Sequence, residues 1–104
     1  MNDYFTDRTH MNSVLLEGKI IKDVKFDKHK ISSFMVENIT NTRKKEVCHI
    51  RVQAPPKFFD RFHKEFIKGS KIRIVGSLKD RIKTTLHTGE YEHYIECEEI
   101  MRCE

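Results

Sequence analysis

A glycine within an otherwise regular strand pattern is the feature that most constrains how this chain can fold. From Val14 the apolar positions alternate through Leu16 to Ile20, and Gly18 stands in the same register. Alternation of this kind predicts a β-strand with one face toward a core. A glycine inside a strand marks a bulge or a sharp bend. Such a bend lets one long strand serve two sheets of a small barrel.

The rest of the chain predicts four more strands and one helix. The predicted order is a first strand at 14–24, a hairpin connection at 25–30, a second strand at 31–39, a basic loop at 38–45, a third strand at 46–53, a helix from Pro56 to Gly69, a fourth strand at 71–79, a hairpin tip at 81–90 and a last strand at 91–101. Three strands, one helix and two strands is the connectivity of the OB-fold. We therefore predict an all-β protein, a five-stranded OB-fold barrel with one α-helix between strands 3 and 4.

The third predicted strand separates an inner face from an outer face. Its inner set is Cys48, Ile50 and Val52, and its outer set is Val47, His49, Arg51 and Gln53. Because successive side chains of a strand point to opposite faces, we expect the first set to face the core.

Phenylalanines follow the third strand at helical spacing. They are Phe58, Phe59, Phe62 and Phe66. Pro56 suits the first turn of a helix, and Gly69 suits the position just after its end. The rings could form a base-stacking ladder, but a stripe of this spacing normally faces a core, so we expect a helix that caps the barrel.

Length and cysteine content indicate one intracellular domain. The 104 residues can form a single modest core, and the polar residues 1–10 are expected to form a flexible N-terminal arm before a domain at 11–104. No apolar run approaches the length of a membrane span, and no signal peptide follows Met1. Three cysteines at irregular spacing favour reduced thiols, so we expect a cytoplasmic protein with no membrane association.

The charge is unevenly distributed along the chain. Between Lys19 and Lys83 there are eighteen lysines and arginines against seven acidic residues, whereas from Glu90 onward six glutamates face only Arg102. A basic body with an acidic last strand is the footprint expected for binding a polyanion along one surface. Ordinary solubilising charge is the alternative reading of the same composition.

Catalytic and metal-binding interpretations find little support in the sequence. No nucleophile and base form a recognisable motif, and no Gly-rich phosphate loop joins a strand to a helix. Cys48, His49, Cys97 and Cys103 are the best metal-ligand candidates, but Cys48 and His49 point to opposite strand faces and no C-x₂-C pair exists. We therefore expect no enzymatic activity, no cofactor, no metal and no small-molecule substrate.

Four segments resemble the bacterial single-stranded DNA-binding protein family. Residues 11–18 match its opening Met-Asn-x-Val-x-Leu-x-Gly, residues 57–70 match its helix and Lys-Gly-[Ser/Asp] turn, residues 72–78 match its Val-x-Val-x-Gly-x-Leu strand, and residues 97–100 match its Ala-Glu-Glu-Ile ending more loosely. Family members usually carry a Gly/Pro-rich tail with an acidic tip, and the sequence as given ends at Glu104. Its length resembles a tailless relative, the primosomal replication protein N, although a removed tail would look the same.

The resemblance implies a set of nucleic-acid-binding residues. Those at or near its basic positions are Arg43, Lys44, Lys45, Arg51, Lys57, Lys68 and Arg81. Its usual stacking aromatics are replaced by His49 in the third strand, by Pro55 shortly afterwards, and by Lys83 or a near neighbour in the last hairpin. Tyr91 and Tyr94 are candidate replacements, and Tyr91 is preferred because it borders that hairpin. Stacking is therefore expected to be limited.

These observations together predict a non-catalytic single-stranded DNA-binding protein that acts in DNA replication, recombination or repair. The groove is expected to cross the face of His49, Arg51 and Gln53. The resemblance also implies a homodimer or homotetramer assembled through first-strand edges near residues 12–19. The alternative is an OB-fold protein-interaction or replication-restart accessory module with weak or no DNA binding.

Overall fold

The computed structural model describes residues 10–41, 43–82 and 90–103. Its strands are β1 (Val14–Ile20), β2 (Lys25–Phe26), β3 (Ser32–Asn41), β4 (Glu46–Ala54), β5 (Lys71–Ile82) and β6 (Tyr91–Arg102), and its helix is α1 (Phe59–Lys64), which follows a 3₁₀ turn at Pro56–Phe58. Residues 1–9 of the predicted arm and residues 83–89 of the predicted hairpin tip, including Lys83, lie outside the described residues.

The strands close into a barrel. Their order is β1-β5-β6-β4-β3, and β1 pairs with β3 to complete the ring, while the two-residue β2 pairs with the other end of β3. The predicted five-stranded barrel with one helix is thus confirmed. Because β2 is an additional strand, the helix lies between the fourth and fifth strands in chain order.

Gly18 lies where β1 passes from one neighbour to the other. Residues Val14–Lys19 pair with β5, and Lys19 and Ile20 pair with β3. A Cβ atom at Gly18 would collide with the backbone oxygen of Glu37, so only glycine allows this close approach. The strand ends at Ile20, not at residue 24 as predicted, and the Ile20 backbone bonds to Gly69 and Ser70 of the turn before β5.

The connection predicted at 25–30 is a short strand and a tight turn. Lys25 and Phe26 pair with Ser33 and Ser32 of β3. Asp27 Oδ1 then accepts hydrogen bonds from the backbone N–H groups of His29 and Ile31, at 2.8 and 3.0 Å. The bond from Ile31 is the largest effect that lowers the pKa of Asp27 below its usual value.

The β3–β4 hairpin is longer than predicted. The first half of the loop expected at 38–45 is strand, because β3 continues to Asn41, while β4 begins at Glu46 as predicted. The side-chain oxygen of Asn41 accepts hydrogen bonds from the N–H groups of Arg43 and Lys44 and closes the turn. Cys48 lies in the part of β4 near the hairpin turn and is exposed, so its prediction as a core residue is wrong. Val52, on the same face of β4, is buried.

The helix is shorter than predicted but packs on the barrel as expected. It ends at Lys64, and Gly69, whose φ is +96°, lies in the turn before β5, not at the helix end. Phe58, Phe62 and Phe66 are buried. The complete core cluster is Leu16, Ile20, Phe34, Val36, Val52, Ala54, Phe58, Phe62, Phe66, Ile72, Ile74, Ile95, Cys97 and Ile100. In the described part of the chain, no helix is long and apolar enough to cross a bilayer.

Candidate nucleic-acid interface

The outer face of β3 and β4 is the surface on which the sequence predicted a groove. Cross-strand pairing places Ser33 opposite Gln53, Met35 opposite Arg51, and Glu37 opposite His49. Because successive residues alternate between faces, these pairs share the outer face while Phe34, Val36 and Val52 face the core.

The neighbouring strands extend this row of side chains. β6 runs parallel to β4, with Val52 opposite Ile95, and β5 pairs with β6 so that Arg81 lies opposite Glu92. Arg81, Glu92 and Arg51 therefore come from three adjacent strands and point outward together. Met35 on β3 continues the row.

A groove of about 290 Å³ crosses this face. It is lined by Lys22, Asp23, Lys25, Ser33, Phe34, Met35, Arg51, Gln53 and Arg81. Four cationic side chains thus surround one carboxylate. In the OB-fold, this face and its flanking loops are where oligonucleotides bind.

Glu92 joins the two arginines of the groove. Its Oε1 lies 3.5 Å from Arg51 Nη1, and its Oε2 accepts a hydrogen bond from Arg81 Nε at 2.8 Å. The guanidinium of Arg81 also lies 6.0 Å from the centre of the Tyr94 ring. Glu92 and Tyr94 thereby hold Arg81 over the outer face, next to Arg51.

His49 is exposed on this face and lies beside a carboxylate. Its side chain is 55% exposed, and its Nε2 lies 3.5 Å from Oε2 of Glu37 on β3. The ring is open to solvent, and neither it nor Glu37 lines the groove. His49 therefore lies next to the groove, toward the hairpin tip.

The three basic residues of the β3–β4 turn lie further along the same hairpin. Arg43, Lys44 and Lys45 are exposed, and Lys45 has a φ of +52°. The strand between Lys45 and Arg51 spans about 20 Å at the usual rise per residue. A strand of nucleic acid would have to run along the hairpin to contact both Lys45 and Arg51.

Two other predicted residues lie away from the groove. Lys57 is in the 3₁₀ turn, with its Nζ 5.2 Å from the centre of the Phe58 ring, and lines a crevice beside the acidic end of β6. Lys68 lines a separate apolar crevice that shares Asp23 with the groove. The structure thus brings Arg51 and Arg81 together but neither lysine with them.

The two tyrosines of β6 lie on opposite faces. Tyr91 is paired with Ile82, is 57% exposed, and shares its face with the buried Ile95. Tyr94 is paired with Lys79 on the outer face and is half-buried beneath Arg81. The ring that lies nearest to the groove arginines is therefore Tyr94, not Tyr91.

Sequence reasoning missed several residues of the groove. Lys22 and Lys25 belong to the segment between β1 and β3, Met35 forms part of the floor, and Glu92 holds the arginines. The basic composition of residues 22–30 was the available signal for the two lysines. No sequence signal pointed to Glu92, because its contacts with the two arginines depend on the register of β4, β5 and β6.

The cysteines do not converge on a metal site. Among the described residues, no group of three or more histidine, cysteine or acidic side chains could hold a metal ion. Cys97 is buried, and loss of solvent raises the pKa of its thiol to about 11. The Cys103 thiol lies 3.7 Å from Glu17 Oε1, on the far side of β5.

The barrel, its single short helix and the groove over β3 and β4 define an OB-fold. The sequence matches no protein-family profile and no curated protein. Solved structures, in contrast, resemble the fold closely.

One such structure is the SSB of Plasmodium falciparum in complex with ssDNA, with a TM-score of 0.74 and 17% identity over 94% of this chain and 99% of that chain. Another is the dimeric N-terminal domain of PriB from Thermoanaerobacter tencongensis, with a TM-score of 0.69 and 15% identity over 89% of this chain and 97% of that chain. At these identities the likeness is one of fold, and it covers the whole barrel.

Proposed function

We propose that this protein binds single-stranded DNA without catalysis and acts in DNA replication, recombination or repair. The observation that carries the proposal is the groove of an OB barrel in which Lys22, Lys25, Arg51 and Arg81 converge. Basic side chains that follow a phosphate backbone gain free energy by releasing condensed counterions. One structural neighbour with the same fold was solved with ssDNA bound.

In this proposal, charge contributes more to affinity than base stacking does. The chain contains no tryptophan, and Phe34 lines the groove but is buried. The described rings on the outer face beside the groove are the half-buried Tyr94 and the exposed His49. Stacking is worth about 1–3 kcal/mol per base, so fewer rings mean weaker and more salt-sensitive binding. Arg43, Lys44 and Lys45 are proposed to contact the strand where it leaves the groove along the hairpin.

A titration of labelled oligo-dT across salt concentrations tests the proposal. Affinity should fall along a straight line of log K against log salt, with a slope set by the number of phosphates contacted. Fluorescence anisotropy of the labelled oligonucleotide measures this directly. The absence of binding to any oligonucleotide at low salt would refute DNA binding and favour an OB-fold module that contacts an acidic protein partner or assists replication restart.

We also propose that several barrels act together as a homodimer or homotetramer. One edge of β1 pairs with β5 along its length, whereas among the described residues β3 pairs with the other edge at Lys19 and Ile20 and reaches Glu17 through the Asn38 side chain. Beside this edge, Met11 and Leu15 are 74% and 71% exposed. An unpaired edge with apolar neighbours favours association with a second copy. Sedimentation that shows only a 12.4 kDa species at micromolar concentration would contradict this.

A further inference from the structure

The two arginines of the basic groove already contact an anion that belongs to the protein itself. Glu92 on β6 presents one carboxylate oxygen to Arg51 on β4 and the other to Arg81 on β5, at 3.5 and 2.8 Å. Two anionic oxygens between two guanidinium groups is also the arrangement that a phosphodiester would adopt there. Guanidinium forks recognise carboxylate and phosphate with the same N–H donors.

We propose that Arg51 and Arg81 form a subsite for one phosphodiester group of a single-stranded nucleic acid, and that the Glu92 carboxylate occupies this subsite until the phosphate displaces it. The inference rests on the proposed function, and it adds that the Glu92 carboxylate competes with the nucleic-acid phosphate for the two arginines. Glu92 acts as an internal stand-in for the ligand, lowering affinity while keeping the two arginines ordered.

The exposure of the three side chains makes displacement feasible. Arg51 and Arg81 are 42% and 45% exposed, and Glu92 is 29% exposed. Ion pairs at such sites are screened by water and are worth little, so their exchange for a phosphate contact costs little. Arg81 would keep its position over Tyr94 after the exchange.

The two lysines at the groove rim complete the path for an incoming strand. Within residues 10–41, 43–82 and 90–103, Lys22 and Lys25 form no ion pair. They line the same groove as Arg51 and Arg81. Their charge is therefore available to attract a phosphate backbone before the arginines exchange Glu92 for a phosphate.

The decisive variant is Glu92→Gln, which keeps the size of the side chain and removes its charge. We expect it to bind oligo-dT about three- to tenfold more tightly than the unmodified protein. Its salt dependence should also be steeper, because the arginines would no longer be partly neutralised before binding.

Glu96→Gln is the matched control. Glu96 lies on the same strand and the same outer face, opposite Ser77, and does not line the groove. It makes the same change in net charge, so it measures the long-range effect alone. In an Arg51→Ala/Arg81→Ala background, Glu92→Gln should gain no more than Glu96→Gln does. If Glu92→Gln binds as Glu96→Gln does, or more weakly, Glu92 merely positions the arginines and the subsite is refuted.

A second measurement separates this inference from the proposed function. Inorganic pyrophosphate is titrated into the protein while NMR follows the Nε–H signals of the arginines. The signals of Arg51 and Arg81 should move, and half-saturation should come at a lower concentration in Glu92→Gln. If both signals stay still in both proteins, the subsite does not exist. If they move but no oligonucleotide binds at low salt, the subsite stands and the proposed function fails.

Discussion

Removal of Arg51 tests how the groove divides binding between charge and stacking. Arg51 lies at the centre of the outer face, opposite Met35 on β3 and beside Glu92 on β6. Phosphates carry no sequence information, so Arg51→Ala should weaken binding to all single-stranded sequences about equally. Loss of one phosphate contact should also flatten the log–log salt slope by about 0.7 to 1 unit.

The expected loss of affinity is modest because of where Arg51 lies. Its side chain is 42% exposed and already contacts Glu92. A phosphate contact made at this site is therefore screened by water and partly offset by the pair that it replaces. We expect a loss of about 1 kcal/mol, or roughly fivefold in Kd.

Arg73→Ala is the matched control for this prediction. Arg73 on β5 is 45% exposed and contacts a glutamate, Glu17, at 3.2 Å, but it does not line the groove. The two variants have the same net charge, and anisotropy titrations at several salt concentrations compare them. Equal losses in both variants, or an unchanged salt slope in Arg51→Ala, would show that Arg51 acts only through net charge and contacts no phosphate.

Three further predictions concern stability, stacking and pH. Gly18→Ala should destabilise the barrel by about 1–3 kcal/mol, because its Cβ collides with the Glu37 backbone; denaturant unfolding measures this loss. His49→Trp should tighten oligo-dT binding by about 1–2 kcal/mol with an unchanged salt slope, since the site is 55% exposed. Burial raises the pKa of Cys97 to about 11 from its ordinary value of 9.0, so its contribution to stability is present below pH 9 and is lost as pH rises toward 11. The melting temperature of Cys97→Ala should therefore fall less over that range than that of the unmodified protein.

Each of these predictions has an outcome that contradicts it. An unchanged free energy of unfolding in Gly18→Ala would mean that β1 can move away from β3. A tryptophan at residue 49 that leaves affinity unchanged would show that no base reaches this position. If the melting temperatures of the unmodified and Cys97→Ala proteins fall equally as the pH rises, ionisation of the Cys97 thiol does not contribute to the loss of stability at alkaline pH.

Alternation along the chain predicted the barrel but not where its core ends. Phe34, Val36 and Val52 are inward in the pattern and buried in the structure. Cys48 has the same parity as Val52 yet is exposed. Among the described residues, β4 pairs with β6 at Val52 and Gln53, whereas Cys48 pairs with β3 alone. Parity shows which face a side chain occupies. Burial also depends on whether another element reaches that face.

The groove could be predicted only in part, because its charges come from strands distant in sequence. Arg51 and Arg81 were predicted from the resemblance to the single-stranded DNA-binding protein family. Their link through Glu92 follows from β6 lying between β4 and β5, in a register that places Arg81 opposite Glu92. The hydrophobic pattern of a strand constrains which side chains face the core, but it does not by itself identify the residue opposite on a neighbouring strand.

The two tyrosines of β6 show what the alternation of side chains along one strand can predict by itself. Ile95 and Cys97 are apolar and inward, so counting back by two places Tyr91 on their face and Tyr94 on the opposite face. The preference for Tyr91 came from its position beside the hairpin, which is proximity along the chain. Parity selects Tyr94, the ring that lies 6.0 Å from the Arg81 guanidinium. For a strand at a binding surface, the face that a residue occupies is therefore a better guide to its neighbours than its distance from a loop.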